Sequence, residues 1–241
     1  MDLGIAGKVA LVTASSRGLG RATALALGGE GARIMLSGRD PDSLEGASRL
    51  LVERGAEVAT LVGDVTDPGE PRRLVAATVE RFGGVDIVVA NAGGPPPGRA
   101  VDQSDEALQA ALNANLLTSV RLARESLPHM RTAGWGRILC ITSYTVKQAA
   151  PSLSLSNTAR VGLWGWLKTA AQDLASEDSG ITVNMICPGP HATDRMKELG
   201  GSGVMGDPAD FGAVAAFLCS TQAGFVNGAA VVVDGGATLA L

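Results

Sequence analysis

The residues of this chain best suited to chemistry fall at the ends of short apolar runs. After Val9 to Val12 comes Thr13-Ala14-Ser15-Ser16-Arg17-Gly18-Leu19-Gly20, which leads into a run of helical period. Glycines there let backbone N–H groups approach a pyrophosphate, and the first turn of a helix adds a favourable partial positive charge. At the end of the next apolar run stands Ser37-Gly38-Arg39. An acidic residue at that point would hydrogen-bond the ribose 2′-hydroxyl of NAD, whereas a basic one accommodates the 2′-phosphate of NADP. Arg39 with Arg17 favours NADP(H) over NAD(H), because guanidinium forks clamp phosphates, and Asp40 works slightly against that choice. Tyr144, the only tyrosine, follows Ser143 at the end of another apolar run, with Lys147 three residues on. A phenol whose pKa an ammonium can lower is a candidate proton donor or substrate hydrogen-bond donor. His191, just after Pro188-Gly189-Pro190, is a second titratable candidate, since an unperturbed imidazole changes charge near neutrality. His129 reads as a surface group on a long helix.

Strands must carry these groups to a common edge. The candidates are Val9 to Val12, Arg33 to Leu36, Val58 to Val62, Ile87 to Ala90, Arg137 to Thr142, Thr182 to Ile186 and Ala230 to Val233. Between them lie helical patterns at Leu19 to Gly28, Ser43 to Glu53, Pro71 to Phe82, Ser104 to Met130, Leu155 to Ala175 and Pro208 to Cys219. This alternation predicts an α/β chain: a Rossmann-type doubly wound parallel sheet of about seven strands, helices on both faces, one domain over residues 1–241. Ligands of such sheets bind outside the carboxyl ends of the strands. Gly93-Gly94-Pro95-Pro96-Pro97-Gly98 follows a strand directly and reads as a rigid loop on that edge. Gly200-Gly201-Ser202-Gly203 reads as a flexible stretch.

With 241 residues the chain can bury a large core, and 46% hydrophobic residues against 18% charged describe a globular protein. A net charge of -4 gives no basic footprint for nucleic acid. No apolar run approaches a membrane span and the N-terminus lacks a signal-peptide pattern, so the expected location is the cytoplasm, with no membrane partner. Two His exclude an imidazole cluster, and no metal site is expected. Cys140, Cys187 and Cys219 are widely spaced and read as buried apolar side chains.

Several segments together resemble the short-chain dehydrogenase/reductase family. Residues 13–20 are similar to its T-G-x-x-x-G-x-G loop, with Ala14 in place of the first glycine. Gly63-Asp64-Val65 resembles the segment that holds the adenine, and Ala90-Asn91-Ala92-Gly93 its N-N-A-G motif. Asn115 falls where the family has its structural and catalytic Asn, and Gly136 to Ser143 resembles the strand ending in the catalytic Ser. Pro188-Gly189 with Thr193 resembles the segment that meets the nicotinamide carboxamide, and Val233-Asp234-Gly235-Gly236 the closing motif. The resemblance implies coenzyme contacts from Thr13, Ser15, Ser16, Arg17, Gly18, Leu19, Gly20, Arg39, Asp64, Val65, Asn91, Ala92, Gly93, Arg160, Pro188, Gly189 and Thr193. It also implies a homotetramer or dimer built through the helices at 104–130 and 155–175.

The departure lies where the family places Tyr-x-x-x-Lys, since those positions here are Ser156-Asn157-Thr158-Ala159-Arg160. Residues 156 and 160 share a helix face, beside an apolar stripe of Leu155, Ala159, Leu163, Trp166 and Leu167. Arg160 keeps the positive charge and donors a Lys would offer the nicotinamide ribose, while a serine hydroxyl does not easily hold a charged form at neutral pH. The expected function is an NADP(H)-dependent oxidoreductase of a carbonyl/alcohol pair, similar to 3-oxoacyl-carrier-protein reductases, with Asn115, Ser143, Ser156, Arg160 and Tyr144 as candidate catalytic groups. The alternatives are a non-redox enzyme of the same fold performing dehydration, isomerisation or cyclisation, and an inert coenzyme-binding subunit. The stretch at about 190–206 reads as a short substrate loop. A short cover predicts an open site that admits larger or protein-tethered substrates more readily, and the expected partner is a small-molecule or acyl-carrier-tethered substrate.

Overall fold

Apolar runs become strands here because a parallel sheet covered by helices buries both of its faces. In the computed structural model, which describes residues 1–200 and 203–240, β1 (Val9–Val12), β4 (Ile87–Ala90) and β5 (Gly136–Ile141) are buried along their whole length. With β2 (Arg33–Gly38), β3 (Val58–Val62), β6 (Ile181–Pro188) and β7 (Ala230–Val233) they form one parallel sheet, ordered β3-β2-β1-β4-β5-β6-β7. The order reverses between β1 and β4, which opens a crevice at their carboxyl ends. The sheet is the expected Rossmann-type one. Two strands run further than their β-branched cores predict. Ser37 and Gly38 still pair with Leu61 and Val62, and Cys187 and Pro188 with Val232 and Val233. Gly201 and Ser202, at the centre of the stretch expected to be flexible, lie outside the described residues.

Helices α1 (Gly18–Gly29), α2 (Pro41–Val52) and α8 (Pro208–Leu218) cover one face, burying Leu27, Leu44, Leu51 and Phe211. On the other face α3 (Glu70–Phe82) and α6 (Ser154–Ser176) bury Leu74, Phe82, Leu163 and Leu167. The helix expected over Ser104 to Met130 requires correction. It is α4 (Asp105–Leu112), one π turn (Asn113–Leu117) and α5 (Thr118–Ala133). The backbone N–H of Thr118 reaches the Asn113 carbonyl five residues back, and its hydroxyl donates to the same oxygen at 3.0 Å and to the Val65 carbonyl at 3.3 Å. Hydrophobic period does not register one extra residue in a turn, so the sequence reads straight through it. A further short helix, α7 (Asp194–Glu198), lies inside the expected loop, with Thr193 capping it through the Met196 N–H. Of the α6 stripe, Leu155, Ala159, Leu163 and Leu167 are buried, whereas Trp166 is half-buried like Trp164. His129 is also half-buried, not a surface group, and all three cysteines are buried as expected.

Candidate active site at the carboxyl edge

The loop after β1 turns through Ala14, whose φ of 46° is left-handed, and through Gly18 at 59°. An alanine in that region costs about 1 kcal/mol, a strain glycine would not have. Gly20 is obligatory, since a Cβ there would lie 2.5 Å from the Ala14 carbonyl oxygen and 2.7 Å from Asn91 Nδ2. That same Nδ2 donates to the Ala14 carbonyl, so Asn91 braces the loop from β4. The hydroxyls of Thr13 and Ser15, expected at the coenzyme, are used inside the protein. Thr13 Oγ1 donates to the Asn91 carbonyl at 2.7 Å, and Ser15 Oγ to that of Val12 at 2.8 Å. What remains for a ligand is backbone, with the half-buried Ser16 hydroxyl and the exposed Arg17 side chain. Helix α1 starts with no side-chain cap and no acidic residue in its first turn. Its N–H groups therefore fit a pyrophosphate.

Arg39 is the first residue past β2, and Asp40 is spent as the cap of α2, accepting from the Ser43 N–H at 2.8 Å. Arg39 and Arg17 are both exposed. Arg39 lies 3.7 Å from Asp64, whose other oxygen accepts from the Thr66 N–H and hydroxyl. Burial raises the Asp64 pKa, but the Thr66 bonds and the Arg39 charge outweigh it and hold the carboxyl below its usual range. Val65 is in the core, with its carbonyl tied to the π turn. Ala92 and Gly93 follow Asn91 along the crevice, and a Cβ on Gly93 would meet nothing within 4 Å.

Ser143 follows β5 and caps a short 3-10 turn, Tyr144–Val146. Its Oγ accepts from the Thr145 N–H at 3.2 Å and hydroxyl at 3.0 Å, which leaves its own hydrogen free to donate. Tyr144 is half-buried, and Lys147 does not attend it, because the ammonium sits 4.2 Å from the centre of the Trp164 ring. Across the edge, Arg160 on α6 is buried. Its Nε donates to Ser156 Oγ at 3.1 Å and its Nη1 to the Ile141 carbonyl at 3.1 Å, two residues before Ser143. Burial brings its pKa down to about 10, so the guanidinium stays charged at neutral pH. Asn115, in the π turn, is buried, with its Nδ2 towards the Ala111 carbonyl and its Oδ1 without a partner among the described residues.

The segment after β6 completes the edge. Gly189 has no room for a Cβ, which would lie 2.4 Å from that of Asp234, and its carbonyl accepts from His191 Nδ1 at 3.0 Å. His191 is buried edge-on against Phe211, and beside it Gly206 and Pro190 close the base of the loop through a 2.9 Å bond. The expected open site is corrected by α7. Thr193 lies against Gly18, Glu198 is 3.7 Å from Arg17, and Arg195 Nη2 donates to the Pro95 carbonyl at 2.9 Å. Though short, the cover spans the crevice from the phosphate loop to the Gly93–Gly98 loop. Arg195 was invisible to motif reading, although Thr193 followed by Asp194 is a helix-start signal.

The profile of a family described as Enoyl-(Acyl carrier protein) reductase matches residues 13–238. Dehydrogenase/reductase SDR family member 4 from Homo sapiens is 32% identical, the match covering 96% of this chain and 88% of that protein. The chain belongs to the short-chain dehydrogenase/reductase family. The L-sorbose reductase of Gluconobacter frateurii complexed with NADPH and L-sorbose is 32% identical, with a TM-score of 0.93 over 100% of both chains. A 7α-hydroxysteroid dehydrogenase complexed with NADH and 7-oxo glycochenodeoxycholic acid is 27% identical, with a TM-score of 0.92 over 98% of this chain and 96% of that one. Within this family of oxidoreductases the chain carries Ser156 and Arg160 in hydrogen-bond contact.

Proposed function

We propose that the protein is an NADP(H)-dependent oxidoreductase of a small carbonyl/alcohol substrate, acting through an altered site of Ser143, Ser156 and Arg160. The observation that carries this reading is the Arg160–Ser156 hydrogen bond, anchored on the Ile141 carbonyl beside Ser143. Arg160 donates into Ser156 Oγ, so the serine's own hydrogen points elsewhere, and Ser143 is in the same condition through Thr145. Two hydroxyls with occupied acceptor sites are donors for a carbonyl oxygen that gains negative charge. The guanidinium strengthens the Ser156 donor without losing a proton itself. The hydroxyls keep their hydrogens, and solvent water supplies the proton that the product alkoxide takes up; Asn115 Oδ1 offers an acceptor for such a water.

The coenzyme, when bound, supplies or accepts the hydride. The first turn of α1, Asp64, Asn91 to Gly93, Pro188, Gly189 and Thr193 would hold it. NADP(H) is favoured because Arg39 is the first residue past β2 and Asp40 is committed to α2. The residues at about 190–206 act as a substrate cover, and the span of α7 favours small substrates over carrier-tethered ones. A homo-oligomer fits exposed Leu117 and Val161 and the α5–α6 groove lined by Leu127, Trp166 and Leu174. The cytoplasm remains the proposed location; no described helix is long and apolar enough to cross a membrane.

The test is NADPH and NADH titration by fluorescence, followed by NADPH oxidation with a ketone panel. Binding of NADPH in preference to NADH, with turnover, is expected. Binding without turnover of any ketone or aldehyde would move the protein to the non-redox or inert reading, and no binding at millimolar coenzyme would overturn the proposal.

A further inference from the structure

Asn115 is placed by its backbone and hardly at all by its side chain. Although the residue is buried, its Nδ2 reaches only the Ala111 carbonyl, at 3.5 Å, and its Oδ1 has no partner among the described residues. What fixes it is the π turn Asn113–Leu117 that carries it. A single π turn inside a helix is uncommon and persists where neighbouring structure holds it.

Three side-chain bonds hold this one. Asn113 Nδ2 donates to the Thr66 carbonyl at 2.8 Å, Thr118 Oγ1 to the Val65 carbonyl at 3.3 Å, and Arg121 Nη1 to Asn113 Oδ1 at 2.7 Å. The third bond sets the first. A guanidinium only donates, so the amide oxygen of Asn113 must face Arg121, and its nitrogen is thereby aimed at Thr66. The other two bonds end on one short segment, Asp64–Thr66. Its Asp64 accepts from the Thr66 N–H at 3.0 Å and hydroxyl at 2.8 Å, and its other oxygen lies 3.7 Å from Arg39, the first residue past β2. A continuous set of polar contacts therefore runs from Arg39 through Asp64 and Thr66 to Asn113. Residues two apart on a helix do not share a face, so Asn113 can address this segment while Asn115 is turned elsewhere. The π turn also packs against α6, the helix of Ser156 and Arg160.

We propose that Asn113 is a positioning residue through which Asp64–Thr66 sets the place of Asn115, so that filling the adenine end of the coenzyme site tightens the catalytic end, a link that rests on the coenzyme-dependent reading above and deepens it. Asp64–Thr66 is the segment among the coenzyme-holding residues that is bonded to the π turn, and Asn113 is the side chain that makes the shorter of the two bonds. Arg121 serves the same link from α5 by holding the Asn113 amide in register.

The probe is adenosine 2′-phosphate, which carries the adenine end of NADP(H) without the nicotinamide. Hydrogen exchange is followed over residues 111–121 in the parent and in Asn113→Asp, which keeps an acceptor for Arg121 but puts an oxygen where the Thr66 carbonyl needs a donor. Saturating nucleotide is expected to slow exchange there about 5-fold or more in the parent and to leave it unchanged in the variant, with calorimetric affinities within about 3-fold of each other. Ketone turnover gives a second readout. Asn113→Asp should lower kcat about 10-fold while KM for NADPH stays within about 3-fold. In an Asn115→Ala background the same substitution should cost less than about 2-fold, because the residue it positions is gone. If Asn113→Asp fails to fold, Arg121→Met, which releases the amide from outside the turn, should still shrink the exchange response to nucleotide. Exchange that nucleotide leaves unchanged in the parent, or slows equally in parent and variant, overturns the proposal, as do kcat losses that multiply in the double variant. A nucleotide response that Asn113→Asp removes, without turnover of any ketone, retains the link and sinks the redox reading, whereas turnover with exchange indifferent to nucleotide does the reverse.

Discussion

Ser156 has a hydrogen to donate, in a bond that the Arg160 N–H to its oxygen strengthens, and little capacity to give it up, because an alkoxide is far less stable than a phenolate. The site is thereby suited to stabilising a developing oxyanion and poorly suited to relaying protons. Ser156→Ala should lower turnover by about 10²-fold, as expected for loss of one oxyanion donor, with NADPH affinity little changed. The double replacement Ser156→Tyr with Arg160→Lys should instead raise turnover about 10-fold or more by supplying a titratable acid. Both are read from steady-state NADPH oxidation, and a double variant no faster than the parent would contradict the assigned deficit. Tyr144 loses the argument that made it an acid, since Lys147 lies over Trp164. Tyr144→Phe should change kcat by less than about 3-fold; a drop of the size general acids supply, about 10²-fold, would return the phenol to the mechanism.

At the scale of elements, the π turn and α7 set the geometry that single residues use. The turn displaces Asn115 relative to a straight helix, and Thr118 holds it by bonding the freed Asn113 carbonyl. Thr118→Val removes that donor from a buried site and should cost about 1–2 kcal/mol in urea unfolding, with a larger fractional loss of activity than other core variants of equal cost. Equal losses would mean the turn is only scaffolding. Helix α7 restrains Arg17 through Glu198, an exposed pair worth at most about 1 kcal/mol. Glu198→Gln frees Arg17 for a phosphate, so the NADPH Kd should fall about 2- to 5-fold while NADH binding stays constant. A parallel gain for NADH would remove Arg17 from coenzyme choice.

For the whole molecule, burial sets the response to alkali. The Cys140 and Cys219 thiols are held up to about 12 by burial, against an ordinary 9.0. As pH climbs past 9.0 the unfolded chain releases protons that the folded one keeps, so each thiol withdraws up to about 1.4 kcal/mol of stability per pH unit. Arg160, lowered by burial to about 10, acts in the opposite sense but only above that pH. Chemical denaturation should therefore show stability falling first between about pH 9 and 10, with both cysteines replaced by Ala flattening the decline. A midpoint independent of pH over that interval would contradict the burial assignment. The fold itself was legible without coordinates, because alternating apolar runs and helical periods constrain a parallel sheet and its crevice, and because the Gly18–Gly20 turn must follow β1. Ser156 and Arg160 were likewise visible as residues, four apart on one helix face. What the order of residues left open was partnership: that Arg160 would bond Ser156 and Ile141, that Lys147 would leave Tyr144 for Trp164, that Thr13 and Ser15 would spend their hydroxyls on the scaffold, and that Arg195 would cross the crevice. Hydrophobic periodicity reports which face a residue turns to the core, while the partner of a polar side chain depends on which distant strand or loop supplies the nearest unfilled donor or acceptor, and only the packed chain decides that.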